Sequence, residues 1–183
     1  MFNKLKCLSV VVCISRVEDA VNRSILAATT AGVAAAAGAG SVASAKRVPA
    51  WYGRLRKPSY QPPSIAFPVV WTTLYGDIAA TSAVAVDRYR TTGQHNKARG
   101  YVAALTVNLF LNAGWSWLFF GYHKLGASAV GAGVLTASTA DLLRRTAQAD
   151  RRAALALSPY ALWCAFATVL ATHVWRLNRA GPP

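Results

Sequence analysis

Apolar residues are concentrated in five stretches, each close to the ~20 residues that a helix needs to cross the hydrocarbon core of a bilayer. Only helices satisfy their own backbone hydrogen bonds in lipid, so the pattern predicts an all-α integral membrane protein, a bundle of five transmembrane helices. The predicted spans are about Asn22 to Ala45, Pro68 to Val86, Gly100 to Phe120, Leu125 to Leu143 and Ala153 to Val174. The first span is rich in alanine and glycine, and it is weakly hydrophobic for a membrane helix.

The spans also define the domain organisation of the 183-residue chain. Residues 22–179 form the predicted membrane domain, and residues 180–183 form a C-terminal tail. Residues 1–21 are an N-terminal extension of unknown role. Within it, Lys4 and Lys6 precede a short apolar stretch that resembles a weak signal-peptide start, but no clear Ala-x-Ala cleavage site follows. An extended or misassigned start explains this segment equally well.

Composition supports the membrane interpretation. The chain is 54% hydrophobic and 14% charged, whereas an average soluble domain has roughly 25% charged residues. Twenty Lys and Arg against six Asp and Glu give a net charge of +14. Such a charge also occurs in nucleic-acid-binding proteins, but here the basic residues lie between apolar stretches and not along one amphipathic face. We therefore expect basic loops at anionic headgroups, a lipid bilayer as surroundings and no nucleic-acid partner.

The three cysteines and three histidines are scattered, and their spacing matches no metal site or disulfide framework. No metal site is therefore expected. Cys164 lies in an apolar run and is most simply a small core residue. His173 is a weak candidate for an axial ligand of haem iron, although a lone histidine near a helix end is more commonly interfacial.

The segment from Trp51 to Pro63, WYGRLRKPSYQPP, joins the first two spans and combines an aromatic pair, a basic cluster and three prolines. Pro62 and Pro63 prevent helix continuation and favour extended backbone. The basic and aromatic side chains suit the membrane interface. The segment is therefore predicted to be a structured loop that forms a lid between two spans.

Helical spacing places aromatic and amide side chains on shared faces. Trp71 and Tyr75 are four residues apart on the second span. One face of the third span carries Asn108, Asn112, Trp115 and Phe119. An asparagine in hydrocarbon is costly unless it faces a partner or a cavity, so this face is predicted to point inward. It forms either an aromatic core with interhelical amide hydrogen bonds or an indole-lined cavity for a large flat apolar ligand.

Asp77 lies in the middle of the second span, where an acid costs a few kcal/mol or more and is commonly functional. Two interpretations are open. A protonated Asp77 bonds Thr73 or Thr81, each four residues away, or the side chain faces another helix or a dimer partner.

Small residues recur at Gly32, Ala36 and Gly40 in the first span. This spacing favours close helix packing, either within the monomer or in a dimer.

Short motifs follow one another in a characteristic order from Gly40 to Asn178. They are Gly40-Ser41, Trp51-Tyr52, Leu55, Lys57-Pro58, Pro62-Pro63, Val70-Trp71, Leu74-Tyr75, Leu111-Asn112, Trp115, Phe119-Phe120-Gly121, Pro159-Tyr160, Trp163, Phe166-Ala167-Thr168, Trp175-Arg176 and Asn178. Each motif is weak alone, but together they are specific. The chain resembles the translocator protein (TspO/MBR) family, also called tryptophan-rich sensory proteins or peripheral benzodiazepine receptors.

The resemblance implies a five-helix bundle, commonly a homodimer, with a ligand cavity closed by the loop after the first helix. For a bacterial-type member it implies a cell-envelope membrane. Family ligands are porphyrins and haem-pathway tetrapyrroles, cholesterol-like lipids and synthetic drugs, and no further cofactor is required. The positions that match the family's ligand site are Gly40, Tyr52, Pro62, Pro63, Trp71, Tyr75, Asn112, Trp115, Phe119, Trp163 and Ala167.

Three functions follow as hypotheses from this resemblance. The first is a membrane receptor or transporter for porphyrin or haem, linked to tetrapyrrole regulation or oxidative stress. The second is light-dependent porphyrin degradation, reported for some bacterial members, for which Trp71 and Trp163 are the candidate catalytic residues because an indole is an oxidisable electron donor. The third is binding of a cholesterol-like lipid, or a regulatory scaffold that acts through a protein partner. No pattern of a hydrolase, metal centre or nucleotide site suggests another enzyme activity.

Six positions depart from the family pattern. In the sterol-recognition stretch of animal members, Thr172 and His173 replace the tyrosine pair and Ala171 replaces an asparagine, so sterol binding through this stretch is not expected. Ala113 replaces a tryptophan of many members, Ala127 a tryptophan of animal members, and Gly131 an aspartate of many members. These smaller residues predict a wider cavity or fewer contacts on that wall.

Overall fold

The computed structural model describes residues 21–45 and 48–179, and every regular element within these ranges is helical, as predicted. The elements are α1 (Arg23–Ala45), α2 (Val48–Arg54), α3 (Ala66–Thr91), α4 (His95–Ser116), α5 (Leu125–Ala149) and α6 (Arg151–Asn178). A π-helical turn, Trp117–Gly121, continues α4. The N-terminal extension lies outside the described residues except for Val21, and the tail 180–183 lies wholly outside them.

Four of these helices are long and apolar enough to cross a membrane. They cover Arg23–Ala43, Ala66–Thr91, His95–Gly121 and Arg151–Asn178. The fourth predicted span, α5, has 25 residues but does not belong to this group. Glycine, serine and threonine dilute its apolar residues, and its last third carries Asp141, Arg144 and Arg145. The prediction of a multi-pass membrane protein is confirmed. The predicted fourth span, α5, has the length of a membrane span but not the apolar composition of the other four helices.

The long helices other than α1 extend beyond the predicted spans, because hydropathy marks only the apolar section of a helix. For example, α3 runs to Thr91, and Gly93 follows with a φ of 73°, a left-handed conformation that suits glycine after a helix end. At the start of α6, the side chain of Asp150 accepts a 2.8 Å hydrogen bond from the Ala153 N–H. This N-cap separates α6 from α5.

The five long helices form a closed ring. α1 packs against α3 and α4, α4 against α5, α5 against α6, and α6 returns to α3. The Asn22 N–H lies 3.4 Å from an oxygen of Asp87, and the Tyr89 hydroxyl donates to the Arg145 carbonyl, so the start of α1 lies near the ends of α3 and α5. We call this the turn end of the bundle. The opposite end, with α2 and the last turn of α6, is the lid end.

The small-residue stripe of α1 faces α4 of the same chain. A side-chain carbon at Gly40 would lie 3.2 Å from Ser116 Oγ, and one at Gly32 would lie 4.0 Å from Leu109 Cδ1. The two glycines therefore serve packing within the monomer, since they allow α1 to approach α4 closely.

The predicted bond between the Asp77 side chain and a nearby threonine is wrong. Thr73 donates to the Val69 carbonyl, and Thr81 donates to the backbone carbonyl of Asp77 itself. Hydroxyls within a helix commonly bond the carbonyl four residues earlier, which leaves the carboxyl unpaired. One Asp77 oxygen, Oδ2, is buried without a hydrogen-bond partner among the described residues.

Candidate functional site

The lid is partly helical, which corrects the expectation of a loop from Trp51 onwards. Trp51 and Tyr52 lie on α2, which ends at Arg54. The irregular part begins only at Leu55, because the first proline after α2 is Pro58. We define the lid as residues 51–65, comprising the end of α2 and the irregular segment that leads to α3.

The lid is attached to α6 by a pair of hydrogen bonds. The Asn178 side chain accepts from the Arg56 N–H at 3.0 Å and donates to the Arg56 carbonyl at 2.9 Å. Farther along the lid, the Tyr60 hydroxyl lies 3.1 Å from Nδ1 of His173. The sequence places Asn178 only within a family motif, and nothing in its spacing indicates this attachment. His173 is exposed, and one of its ring nitrogens is engaged by the lid.

A line of aromatic rings runs from the lid into the bundle. Tyr60 contacts Phe166 with ring centroids 6.4 Å apart, Phe166 contacts Trp163 at 5.4 Å, and Trp163 contacts Phe67 at 5.9 Å. Phe67, Trp163 and Phe166 are half-buried. Their edge-on and tilted arrangement is the geometry that aromatic rings prefer. Trp163 thus lies beneath the lid, on the inner side of α6.

A second aromatic group lies where α4 meets the lid. Trp115 stacks on Phe119 at 5.3 Å, and both Trp51 and Tyr52 approach Phe119 edge-on, at 5.8 and 6.0 Å. The Lys57 ammonium lies 4.6 Å above the Tyr52 ring. Burial raises the pKa of Tyr52, so its hydroxyl stays neutral at physiological pH.

The π-helical turn explains how α4 reaches the lid with two adjacent rings. Tyr52 contacts Phe120 at 6.1 Å as well as Phe119. In a regular α-helix, neighbouring residues do not face the same partner. The wider π-turn changes this register, and such turns are frequent at functional sites.

A buried polar network connects four helices next to these aromatic groups. Tyr75 donates to Asn112 Oδ1 at 3.0 Å, and Asn112 Nδ2 donates to the Tyr160 hydroxyl at 3.3 Å. Tyr160 donates to Asn108 Oδ1 at 2.8 Å, and Asn108 Nδ2 donates to Thr139 at 3.0 Å. The inward direction predicted for the asparagine face is confirmed. Spacing pairs Trp71 with Tyr75, but it gave no sign that Tyr160 on α6 links both asparagines.

Two of the six tryptophans use their indole N–H groups within the described part of the fold, and the other four do not. Trp115 donates to the Ser128 carbonyl at 3.0 Å, and Trp117 donates to the Ala39 carbonyl at 3.1 Å. The indoles of Trp71 and Trp163 have no acceptor within the described part of the chain. Trp71 instead lies 5.5 Å from the Tyr75 ring and 6.4 Å from the Tyr160 ring. These two half-buried indoles retain a polar group that the described part of the fold leaves unused.

The eleven sequence-predicted site residues fall into separate groups. Trp71, Tyr75 and Asn112 belong to the polar network, and Tyr52, Trp115 and Phe119 belong to the lid contact. Trp163 lies on the line of rings, and Ala167 is half-buried one turn later on α6. In the lid, Pro62 is half-buried and Pro63 is exposed. Gly40 lies against Ser116 on α4.

Two pockets open away from the central groups. A groove of about 530 Å³ is lined by Val107, Phe110, Leu111, Gly114, Trp115, Trp117, Leu118, Tyr122 and Gly131. A pocket of about 410 Å³ at the lid end is lined by Trp51, Leu55, His123, Lys124, Leu125, Gly126, Ala127, Trp175 and Asn178. Neither is lined by Trp71 or Trp163. Gly131 and Ala127, expected to widen the central cavity, line these two pockets instead.

The sequence also matches known proteins over most of its length. Residues 27–176 match the model of the TspO/MBR family. The chain is 33% identical to the tryptophan-rich protein TspO of Chlorobaculum tepidum, with 86% of this chain and 99% of that protein covered. It is 32% identical to protein CrtK of Rhodobacter capsulatus (73% and 82% covered) and 34% identical to the human translocator protein (70% and 75% covered). With its four apolar helices of membrane-spanning length, the chain belongs to the TspO/MBR family and is a multi-pass membrane protein.

Proposed function

We propose that the protein is a membrane receptor or transporter that binds a porphyrin or another haem-pathway tetrapyrrole beneath the lid, with a role in tetrapyrrole regulation or oxidative stress. The observation that carries the proposal is the contrast among the indoles. Trp115 and Trp117 use their N–H groups within the fold, whereas Trp71 and Trp163 find no acceptor among the described residues. Trp51 and Trp175 also lack an acceptor there, but both line the lid-end pocket and not the central region. The names of two relatives, translocator protein and tryptophan-rich protein, are consistent with this role.

The chemistry of a tetrapyrrole complements this region. Its flat apolar ring offers large faces to Trp71, Trp163 and Phe166, and offset or edge-on aromatic pairs add about 0.5–1.5 kcal/mol each beyond burial. Its carboxylates and other polar edges can accept hydrogen bonds from the two unused indole N–H groups. The Tyr75–Asn112 bond fixes a polar boundary beside Trp71, so that this wall is held rigid.

The proposed bundle has five spans. α5 contains 25 residues, which gives a length of about 37 Å, enough for the ~30 Å hydrocarbon core. It packs between α4 and α6, and its polar hydroxyls are used there, since Thr136 and Thr168 form a 2.8 Å bond across the α5–α6 contact. We also propose a homodimer, as the family resemblance implies.

Light-dependent degradation of bound porphyrin is proposed as a secondary activity. It would use Trp71 and Trp163 as electron donors to the excited macrocycle, with molecular oxygen as the oxidant. Both indoles are only half-buried, which is compatible with direct contact between each ring and a ligand.

The test is a titration of the purified protein with protoporphyrin IX, in the dark, followed by the porphyrin Soret band. We expect saturable binding that weakens about tenfold or more in the Trp71→Phe/Trp163→Phe double variant, because each phenylalanine keeps a smaller ring but lacks the indole N–H donor. The matched control is Trp117→Phe/Trp175→Phe, which also removes two indoles but leaves the proposed site intact. Equal porphyrin affinity of the two double variants would contradict the proposed site at Trp71 and Trp163. Illumination then tests degradation, which should cease in the first variant.

A cholesterol-like lipid is a second candidate ligand, favoured by the groove of about 530 Å³ between α4 and α5. Its lining is apolar except for tyrosine and indole groups, and exposed Phe110 forms one rim. If a sterol probe competes with porphyrin, both ligands bind in the central site. If the sterol binds independently of porphyrin and this binding is lost in Gly131→Leu, the sterol binds in the groove. Absence of both kinds of binding would favour a scaffold that acts through a protein partner.

A further inference from the structure

The lid-end pocket is distinct from the proposed tetrapyrrole site. Its walls come from four elements: the lid, the turn after the π-helical segment, the first turn of α5 and the last turn of α6. The lining includes Trp51, Lys124 and Asn178 but neither Trp71 nor Trp163. All four elements end or begin here, so the pocket lies at the level of the membrane headgroups.

The charge around this pocket is uncompensated. The described basic residues at the lid end are Arg54, Arg56, Lys57, Lys124, Arg176 and Arg179. The described carboxylates lie elsewhere, since Asp87, Asp141 and Asp150 are at the turn end and Asp77 is in the middle of α3. At the turn end, Arg144 and Arg145 both pair with Asp141. The described part of the lid end has no such internal counter-ion, so an anionic group from outside would meet no competing carboxylate there.

The pocket itself offers several polar groups that the described residues do not use. Lys124 is exposed at its edge. Nε2 of His123 is buried without a hydrogen-bond partner among the described residues, and its ring stacks on Trp51 with centroids 4.0 Å apart. The Trp175 indole N–H likewise has no acceptor in the described part of the chain. It lies 3.1 Å from the place where a side chain at Gly126 would begin, so the glycine keeps the space beside this donor open.

We propose that this pocket binds the phosphate of a membrane phospholipid, with Lys124 and the Trp175 indole N–H as the groups that face the headgroup. The apolar part of the lining, Trp51, Leu55 and Leu125, accommodates the glycerol backbone and the start of an acyl chain. A phospholipid meets both requirements at once, because its anionic group lies at headgroup level and its apolar part continues into the bilayer. Free phosphate shares the anionic chemistry but makes no use of the apolar wall.

The bound lipid would also contact the attachment of the lid. Asn178 lines the pocket and bonds both backbone groups of Arg56, and Leu55 of the lid is a buried residue of the same lining. A lipid in the pocket would therefore stabilise the attachment of the lid to α6.

The experiment is native mass spectrometry of the full-length, delipidated protein titrated with phosphatidylglycerol. Lys124→Gln removes the cation, and Ala127→Trp fills the pocket from an exposed position without changing charge. We expect Lys124→Gln to weaken lipid retention about fivefold, the effect of one basic residue near an anionic headgroup. Ala127→Trp should also weaken it, because the indole occupies the space that the lipid needs. The matched control is Arg54→Gln, an exposed cation at the same end that does not line the pocket, and its affinity should stay within roughly twofold.

Two further probes identify the recognised group. Excess inorganic phosphate should displace phosphatidylglycerol, and diacylglycerol, which lacks the phosphate, should not be retained. The proposal is overturned if both pocket variants retain the lipid like the parent, if Arg54→Gln loses as much as Lys124→Gln, or if diacylglycerol binds equally well. If Ala127→Trp does not fold, Lys124→Gln and the diacylglycerol probe decide. Porphyrin binding is measured separately on the same variants. The failure of the proposed tetrapyrrole binding can therefore be distinguished from the failure of the proposed phospholipid binding.

Discussion

Tyr75 on α3 donates a 3.0 Å hydrogen bond to the side-chain oxygen of Asn112 on α4. This bond fixes the orientation of the Asn112 amide, whose nitrogen then donates to Tyr160 on α6. Three helices of the ring are thereby held in register beside Trp71. The same amide that is costly in hydrocarbon becomes a specific interhelical link.

Removal of the Tyr75 hydroxyl should destabilise the helix bundle without unfolding it. We expect Tyr75→Phe to lower the free energy of unfolding by about 0.6–1.7 kcal/mol, the range of interhelical hydrogen bonds in membrane proteins. Thermal unfolding in detergent measures the change. Tyr122→Phe is the matched control, since Tyr122 is 63% exposed. Equal stability of both variants would show that the Tyr75–Asn112 bond contributes nothing net.

The close packing of α1 on α4 should depend on Gly40 and not on Gly38, two residues earlier. A side chain at Gly40 would meet Ser116 Oγ at 3.2 Å, whereas one at Gly38 would meet nothing within 4 Å. We expect Gly40→Leu to cost about 1–3 kcal/mol through overpacking and Gly38→Leu to leave stability unchanged or slightly raised. The comparison of their melting temperatures checks this. A cost for both would instead point to a general role of glycine in α1.

The hydrogen bonds between Asn178 and Arg56 should control opening of the lid. Asn178→Ala leaves both backbone groups of Arg56 without these partners, so the segment that contains Arg54 and Lys57 should open more often. We expect tryptic cleavage after Arg54 and Arg56 to become several-fold faster, because two hydrogen bonds of about 1 kcal/mol each are lost. The rate is followed by gel electrophoresis of the folded protein.

Leu177→Ala is the control for this experiment, since it alters a partly exposed residue next to Asn178 and leaves the attachment intact. Cleavage that is as slow in Asn178→Ala as in the parent would mean that buried Leu55 and Pro58 hold the lid without these bonds.

Asp77 should matter for assembly of the proposed dimer. Asp77 is half-buried, and a carboxyl group in a membrane helix favours a partner on another helix. We expect Asp77→Asn to raise the dimer dissociation constant in detergent about fivefold, equivalent to about 1 kcal/mol. Thr73→Ala, one turn earlier and exposed, should leave it unchanged. Unchanged dimer yield and thermal stability in Asp77→Asn would refute the hypothesis.

The sequence by itself determined the helices and the family. Hydropathy locates spans because, in lipid, every backbone group has to be satisfied within its own helix, and this is a local requirement. Spacing along α4 likewise predicted that Asn108 and Asn112 face inward, because an amide facing lipid is costly. The ends of the helices were less well predicted, since polar terminal turns such as the one at Thr91 carry no hydropathy signal.

Only the tertiary structure decided which side chains meet. Tyr160 joins Asn112 across 48 positions of sequence, and Asn178 reaches Arg56 across 122 positions. No local pattern encodes these pairs, because they depend on how five helices pack together and on the turn of α2 within the lid. The same packing leaves the indoles of Trp71 and Trp163 without an acceptor among the described residues, while those of Trp115 and Trp117 are bonded. Six tryptophans that are chemically identical in the sequence are thus distinguished by the acceptors that the fold brings within reach of each indole.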